Sequence, residues 1–526
     1  MWSFSTLRCI IHSQYKLKLV MMQQKGDFMA KNLSLKAVEN LKTLRTINPQ
    51  LLSYNVEMTE VTGGTFWKAY TPEQIAGTEG FPLISFGKSD EMHQWYDPID
   101  STNPRLIKLA KELGKCWIRV SGTWSTKTYY DFDGHTYGVA PEGFDSVLTK
   151  DQWTNLLDFV KAVDGNLLIS VANCDGIHAA NEPWNPEQAK LIFDFSKEYG
   201  VPIEAVEFMN EPNLLAYSGA PKDYTFEDFI RDQDIFTKWV HENYPECLVV
   251  GPCSVGCGKM GKIDTEKGIM KKLTSSMSTD KLLNGSKEKM DVYSYHYYNG
   301  VSGRITTLPF IHWSPTKAHS EGYLDAAPYT AKANVPYRDK YAPGTEMWVT
   351  ESGDAGGGGC EWASTYLDVF RTLNELGTFP TITNGVIFHN TLASSDYGWL
   401  KHGTFEPRPN YFAVLLWSRL MGTTVYDSEI AIQEGAHVFC HSRKDGKDGC
   451  VYLVINNSLT DTTKVELPKE ALRYTLCGNG NVRNTSIYLN GTKLELGAND
   501  ELPAMEGVAV SGTIELAPGT CTFLVM

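Results

Sequence analysis

Ile203-Glu204-Ala205-Val206-Glu207-Phe208-Met209-Asn210-Glu211-Pro212-Asn213 governs how the rest of the chain is read. Residues 203–209 form a strand-like run that turns polar at Asn210-Glu211-Pro212, setting a carboxylate just past the strand. Trp348-Val349-Thr350-Glu351-Ser352-Gly353 repeats that arrangement 140 residues later. Working outward, strand-like runs recur at 51–57, 116–121, 167–172, 203–209, 248–251, 290–295, 346–350 and 385–388. Between them lie segments such as 104–113, 153–163, 186–199, 226–243 and 363–376, whose apolar residues repeat at three and four, as on a helix. Alternating strand and helix implies a parallel sheet, and eight repeats imply a closed (β/α)₈ TIM barrel, sealed by a helix at 411–420. The carboxyl ends of barrel strands meet at one rim, so Glu211 on the fourth and Glu351 on the seventh converge there.

Beyond residue 425 the pattern changes to short alternating runs broken by Asp-Gly, Asn-Gly and Pro-Gly turns, which reads as an antiparallel β-sandwich. The expected organisation is a disordered extension at 1–28, a lead-in at 29–50, the barrel at 51–424 and the sandwich at 425–526. Within the lead-in, Leu33, Leu35 and Ala37 alternate with polar residues as in an edge strand of the sandwich, whereas Leu41, Leu44 and Ile47 recur at three as in a helix.

Composition excludes several classes of function. A net charge of −14 without a Lys/Arg run argues against nucleic acid and other polyanions as partners, although a local pocket can still hold one acidic sugar. The absence of an 18-residue apolar run argues against a membrane span, and Arg8, His12, Lys16 and Lys18 interrupt any signal-peptide core. Eleven scattered cysteines, an odd number, fit reduced thiols, so the expected location is cytoplasmic. Cys253-Ser-Val-Gly-Cys257 has nearly metal-like spacing but lacks a second pair, so no metal and no cofactor is expected.

Two converging glutamates are the minimum for cutting a glycosidic bond: one carboxyl group protonates the leaving oxygen while the other attacks or stabilises the sugar carbon. Arg119 lies in an otherwise apolar strand and is costly to bury unpaired, so it should reach a carboxylate at the strand ends, either Glu351 or a structural partner. Glycines let backbone N–H groups approach an anion, and Gly356-Gly357-Gly358-Gly359 starts five residues past Glu351; a flexible loop is the other reading of that run. Trp67, Trp95, Trp124, Tyr129, Tyr130, Trp313 and Trp399 fall in predicted loops and offer faces for sugar rings.

The Asn-Glu motif on strand four and the glutamate on strand seven resemble the clan of retaining (β/α)₈ glycosidases. Ile118-Arg119-Val120-Ser121-Gly122-Thr123, Tyr295-His296-Tyr297-Tyr298-Asn299-Gly300, the glycine run, and Tyr397 with Arg408-Pro409-Asn410-Tyr411-Phe412 resemble the heparanase-like family, family 79 of the glycoside hydrolases. The resemblance implies Glu211 as acid/base, Glu351 as nucleophile, and Asn210 on the sugar 2-hydroxyl. It further implies Tyr298 beside the nucleophile, with His296 near it, and Gly357, Gly358 and Tyr397 around a uronate carboxylate. The expectation is an exo-acting β-glucuronidase that binds a carbohydrate substrate. The alternatives are a neutral-sugar or endo-acting relative, the latter depending on whether loops 259–286 and 301–342 close a pocket or border a cleft, and a silent carbohydrate-binding protein.

Overall fold

The computed structural model describes residues 31–84, 91–257, 277–306 and 311–526. The extension read at 1–28, with Cys9, lies outside the described residues, as do parts of the loops at 259–286 and 301–342. Eight parallel strands close the barrel in chain order: β1 Leu52–Glu57, β2 Trp117–Ser121, β3 Asn166–Ser170, β4 Ala205–Glu207, β5 Leu248–Cys257, β6 Val292–Val301, β7 Met347–Gly356 and β8 Ile387–His389. Each predicted strand-like run overlaps one of them. The crossover helices include α1 Pro104–Glu112, α2 Lys150–Ala162, α3 Glu187–Tyr199, α4 Phe226–Asn243, α5 Ala326–Tyr341 and α6 Leu367–Ile382, with α7 Pro409–Leu420 after β8.

The helix ends follow their sequences. Thr149 opens α2 and Thr225 opens α4, each through a capping box with the third helical residue, and Asn103 caps α1 ahead of Pro104. Inside the barrel, Trp117, Leu168, Ala205, Val250, Val292, Trp348, Val386 and Phe388 form an apolar floor, so polar residues nearer the strand ends rest on a packed layer. Helix α6 is buried on all sides from Leu367 to Pro380 because the sandwich covers the face turned away from the barrel. Phe439 packs where Gly377 has no side chain, and His437 Nδ1 bonds Asn374 Oδ1 at 2.7 Å.

The sandwich pairs a three-stranded sheet (Lys31–Ser34, Thr463–Glu466, Thr513–Leu516) with a nine-stranded one whose central strands include His437–Arg443, Cys450–Asn456 and Thr520–Val525. The lead-in supplies an edge strand to each: Lys31–Ser34 runs parallel to Thr463–Glu466, and Thr43–Thr46 runs antiparallel to Met421–Tyr426. Met421–Tyr426 joins the larger sheet directly after α7, four residues before the change read at 425. Among the described residues no helix is long and apolar enough to cross a membrane.

One insertion matters for the site. After β1 the chain forms the short helix Met58–Thr62 and the hairpin Gly64–Trp67/His93–Tyr96, and between the hairpin strands residues 68–84 lie as a strap over the loops following β6, β7 and β8. Ile84 pairs with Ile305, Tyr70 N–H donates to Asp396 at 2.9 Å, and the Arg304 guanidinium sits 3.5 Å above the Tyr70 ring while donating to Lys68 O at 2.6 Å.

Candidate active site

Strand alternation alone would misplace Glu351. Trp348 points into the barrel floor, so a regular strand would put Thr350 inward and Glu351 outward. The β6–β7 register instead pairs Tyr295 with Val349 and then His296 with Glu351, passing over Thr350, and this slip turns Glu351 inward beside His296. Glu351 therefore sits within β7 rather than at its end. On the facing side the β4 ladder stops at Glu207, and Glu211 lies four residues on in the left-handed region, with φ 47° and ψ 51°, directly before Pro212. That conformation costs about 1–2 kcal/mol for an L-residue. Asn213 anchors the loop to β5 through a reciprocal pair of hydrogen bonds with Val255, at 3.1 and 2.9 Å.

The side chains converge on Arg119, which is fully buried. Its Nη1 donates to Glu351 Oε1 at 3.0 Å, its Nη2 to Asn210 Oδ1 at 2.8 Å, and its Nε to Glu207 Oε2 at 2.9 Å. Both partners left open by the sequence are thus engaged: Glu351 and, as the structural partner, Glu207. Tyr298 OH donates to Glu351 Oε2 at 2.6 Å and accepts from Asn390 Nδ2 at 2.9 Å. Arg119 Nη2 also meets His296 Nε2 at 3.3 Å, so the neutral ring carries its proton on Nδ1 and donates it to Glu211 Oε1 at 3.0 Å. Glu351 Oε2 lies 3.6 Å from the same Nδ1.

Burial and charge divide the roles of these groups. Burial pushes the Glu211 carboxyl up; the His296 hydrogen bond opposes this and the Glu351 charge adds to it, which favours the protonated form. Burial also raises Glu351, but Arg119 and the Tyr298 hydroxyl oppose it and favour the ionised form. Glu207 is held below its usual range because Arg119 outweighs burial. Burial lowers His296, against the pull of Glu211 and with a further push from Arg119, which keeps the ring neutral.

The remaining predicted positions gather around this core. Tyr397, buried, has its hydroxyl 3.3 Å from Asn390 Nδ2, one hydrogen bond removed from Tyr298. Gly357 and Gly358 have φ of 85° and 90°, and their amides make no hydrogen bond among the described residues. The run is packed rather than flexible: a Cβ at Gly358 would lie 2.7 Å from Trp67 Cβ, and one at Gly357 would lie 2.8 Å from Ile305 Cδ1. Of the aromatics, Trp67 and Trp124 meet edge to face at 6.0 Å beside the site, and Trp124 follows Thr123, which accepts from Asn210 Nδ2 at 3.3 Å. Trp95 is exposed on the strap hairpin. Trp399 lies against His389 at the strand-eight end, Trp313 packs on Tyr323, and Tyr129 and Tyr130 pack on Phe144 and Phe132.

Glu57, Glu207 and Asn390 join the cluster without having been singled out by sequence. Glu57 ends β1 at the rim that holds Glu211 and Glu351, so the strand-end rule would have found it. Its Oε2 lies where a side chain on Gly122 would begin, which explains Gly122 at φ 92° and ψ 169°. Burial first, then the Glu351 charge, drives its carboxyl well above the usual range.

As for metals, Cys253 falls at a slip in the β5–β6 register and groups with Glu207 and His296, while Cys257's side chain lies outside the described residues. Arg119 bonds both Glu207 and His296 and already supplies positive charge to that set. Its donor opposite Nε2 also directs the His296 proton to Nδ1, the nitrogen that a metal shared with Glu211 and Glu351 would need.

No family model matches the chain. Over 483 residues it is 25% identical to heparanase-like protein 1 of Arabidopsis thaliana, covering 81% of this chain and 85% of that protein. A stretch of 193 residues is 30% identical to baicalin-β-D-glucuronidase of Scutellaria baicalensis, covering 35% and 36% respectively. The hyaluronoglucuronidase of Hirudo nipponia is 23% identical over 472 residues, covering 81% and 90%. Among solved structures, a 4-O-α-L-rhamnosyl-β-D-glucuronidase from Fusarium oxysporum shares the fold with a TM-score of 0.62 at 13% identity, covering 94% of this chain and 100% of that one. A GH51 arabinofuranosidase from Xanthomonas axonopodis does so with a TM-score of 0.56 at 13% identity, with the same coverage. The barrel, its sandwich and these relatives define an enzyme that hydrolyses glycosidic bonds. Within that class, the chain is similar to the heparanase-like glycoside hydrolases.

Proposed function

We propose that the protein is a retaining, exo-acting β-glucuronidase. The observation that carries the mechanism is the sharing of His296 Nδ1 by Glu211 and Glu351, at 3.0 and 3.6 Å, with carboxyl oxygens of the two glutamates within 4.8 Å of each other. Inverting enzymes hold their carboxyls about 6.5–9.5 Å apart to admit a water, whereas retaining ones need about 5–5.5 Å. Glu351 attacks the anomeric carbon as the bond to the aglycone breaks, and Glu211 delivers its proton to the departing oxygen. Glu211, now a carboxylate, then takes a proton from the water that attacks the glycosyl ester and frees Glu351. Asn210 meets the 2-hydroxyl, while Arg119 and Tyr298 keep the nucleophile ionised.

For the sugar, the amides of Gly357 and Gly358, which make no hydrogen bond among the described residues, and the hydroxyl of Tyr397 favour a uronate carboxylate, and two of the relatives are named for glucuronidase action. For exo action, the strap covers the rim above β6, β7 and β8, which favours a pocket over an open groove. The test is hydrolysis of chromogenic β-glucuronide, β-glucoside and β-xyloside, with Glu351→Gln as control. Preference for the glucuronide supports the reading, and preference for a neutral sugar overturns the uronate assignment alone.

A further inference from the structure

Arg119 faces two carboxylates, and only one of them stands at the reacting centre. Glu207, fully buried at the end of β4, engages the guanidinium along one edge, with Nε at 2.9 Å and Nη2 at 2.8 Å from its Oε2. The same oxygen accepts from Ser170 Oγ at 3.0 Å and lies 3.4 Å from Ser121 Oγ, so Glu207 is anchored to β2 and β3 as well as to Arg119. With that edge engaged, Nη1 is the arm left for Glu351 Oε1. We propose that Glu207 is a positioning residue acting through Arg119: it aims Nη1 at the nucleophile and takes up part of the guanidinium charge, leaving Glu351 ionised yet basic enough to attack.

This inference rests on the reading of Glu351 as nucleophile. The charged and titratable groups around Glu351 are Arg119 from β2, Glu207 and Glu211 from β4 and its loop, His296 and Tyr298 from β6, Glu57 from β1 and Tyr397 after β8. Those around Glu207 are Arg119, His296 and Cys253. Arg119 is the permanent cation among them and bonds Glu351 directly, so neutralising Glu207 leaves more of its charge to act on Glu351. Neutralising Glu207 should make the nucleophile more acidic and less reactive, two effects that packing damage would not produce together.

The experiment measures kcat/KM against pH for wild type, Glu207→Gln and Glu207→Asp on a chromogenic β-glucuronide, with thermal melting to confirm folding. Glu207→Gln should lower the plateau roughly 10- to 100-fold and move the acid limb down by about half a pH unit or more. Glu207→Asp, which keeps the charge, should lose rate while its acid limb stays at the wild-type pH. Should Glu207→Gln fail to fold, Ser170→Ala carries the test: removing a donor concentrates charge on Glu207, strengthens its hold on Arg119 and moves the limb upward. An unmoved limb in the folded variant overturns the inference, whereas a wild type that cleaves no glycoside overturns the underlying reading instead.

Discussion

Replacing Tyr298 by phenylalanine removes one hydroxyl from a buried ring and leaves the rest of its packing intact. That hydroxyl donates to Glu351 Oε2 at 2.6 Å, a charge-assisted bond worth about 1.5–3 kcal/mol to the ionised carboxylate. At 1.36 kcal/mol per pH unit, its loss should raise the proton affinity of Glu351 by about one to two units. The sign is upward because the bond favours the charged form. Asn390 Nδ2, which loses the Tyr298 oxygen, still reaches Tyr397 OH at 3.3 Å, so the cluster should survive. The assay is the pH profile of kcat/KM on a chromogenic β-glucuronide, from about pH 3 to 8, alongside melting of both proteins. An acid limb moved up by about one to two units agrees with the argument. A limb that stays put or moves down in a folded Tyr298→Phe protein would refute it.

Asn210→Ala should lower kcat/KM by about 2- to 10-fold, the value of a hydrogen bond between uncharged groups, and the loss should shrink on a 2-deoxy substrate that lacks the contact. Gly122→Ala should cost about 1–3 kcal/mol in urea unfolding because φ 92° and ψ 169° suit glycine alone, and activity should fall as the new methyl displaces the Glu57 carboxyl. His441, lowered by burial to about 4, donates Nδ1–H to Gly422 O, while its buried Nε2 has no hydrogen-bond partner among the described residues. Because the unfolded ring takes up a proton from about pH 6.5 downward and the folded ring does not, about 3 kcal/mol of stability should be lost between there and pH 4; His441→Asn should flatten that loss in pH-dependent urea unfolding.

The barrel was legible because each of its strands is a short apolar run next to a helical period, and parallel neighbours follow chain order. That Glu211 and Glu351 meet was legible because the carboxyl-terminal parts of barrel strands converge on one rim. Their exact seats were not: the slip at Thr350 arises from pairing with β6, and the left-handed Glu211 arises from the anchoring of Asn213 on β5. The two lead-in strands pair with partners roughly four hundred residues away, beyond the reach of local periodicity. The glycine run suggested backbone approach to an anion. The structure adds that Trp67 and Ile305 occupy the space that side chains at Gly358 and Gly357 would need.

Trapping the glycosyl-enzyme tests the central claim most directly. A 2-fluoro β-glucuronyl fluoride should inactivate the protein with a mass gain of one fluoroglucuronyl group, located by peptide mapping on Glu351. A label on another residue, or turnover of β-glucuronide that releases the α-anomer first, would contradict the account.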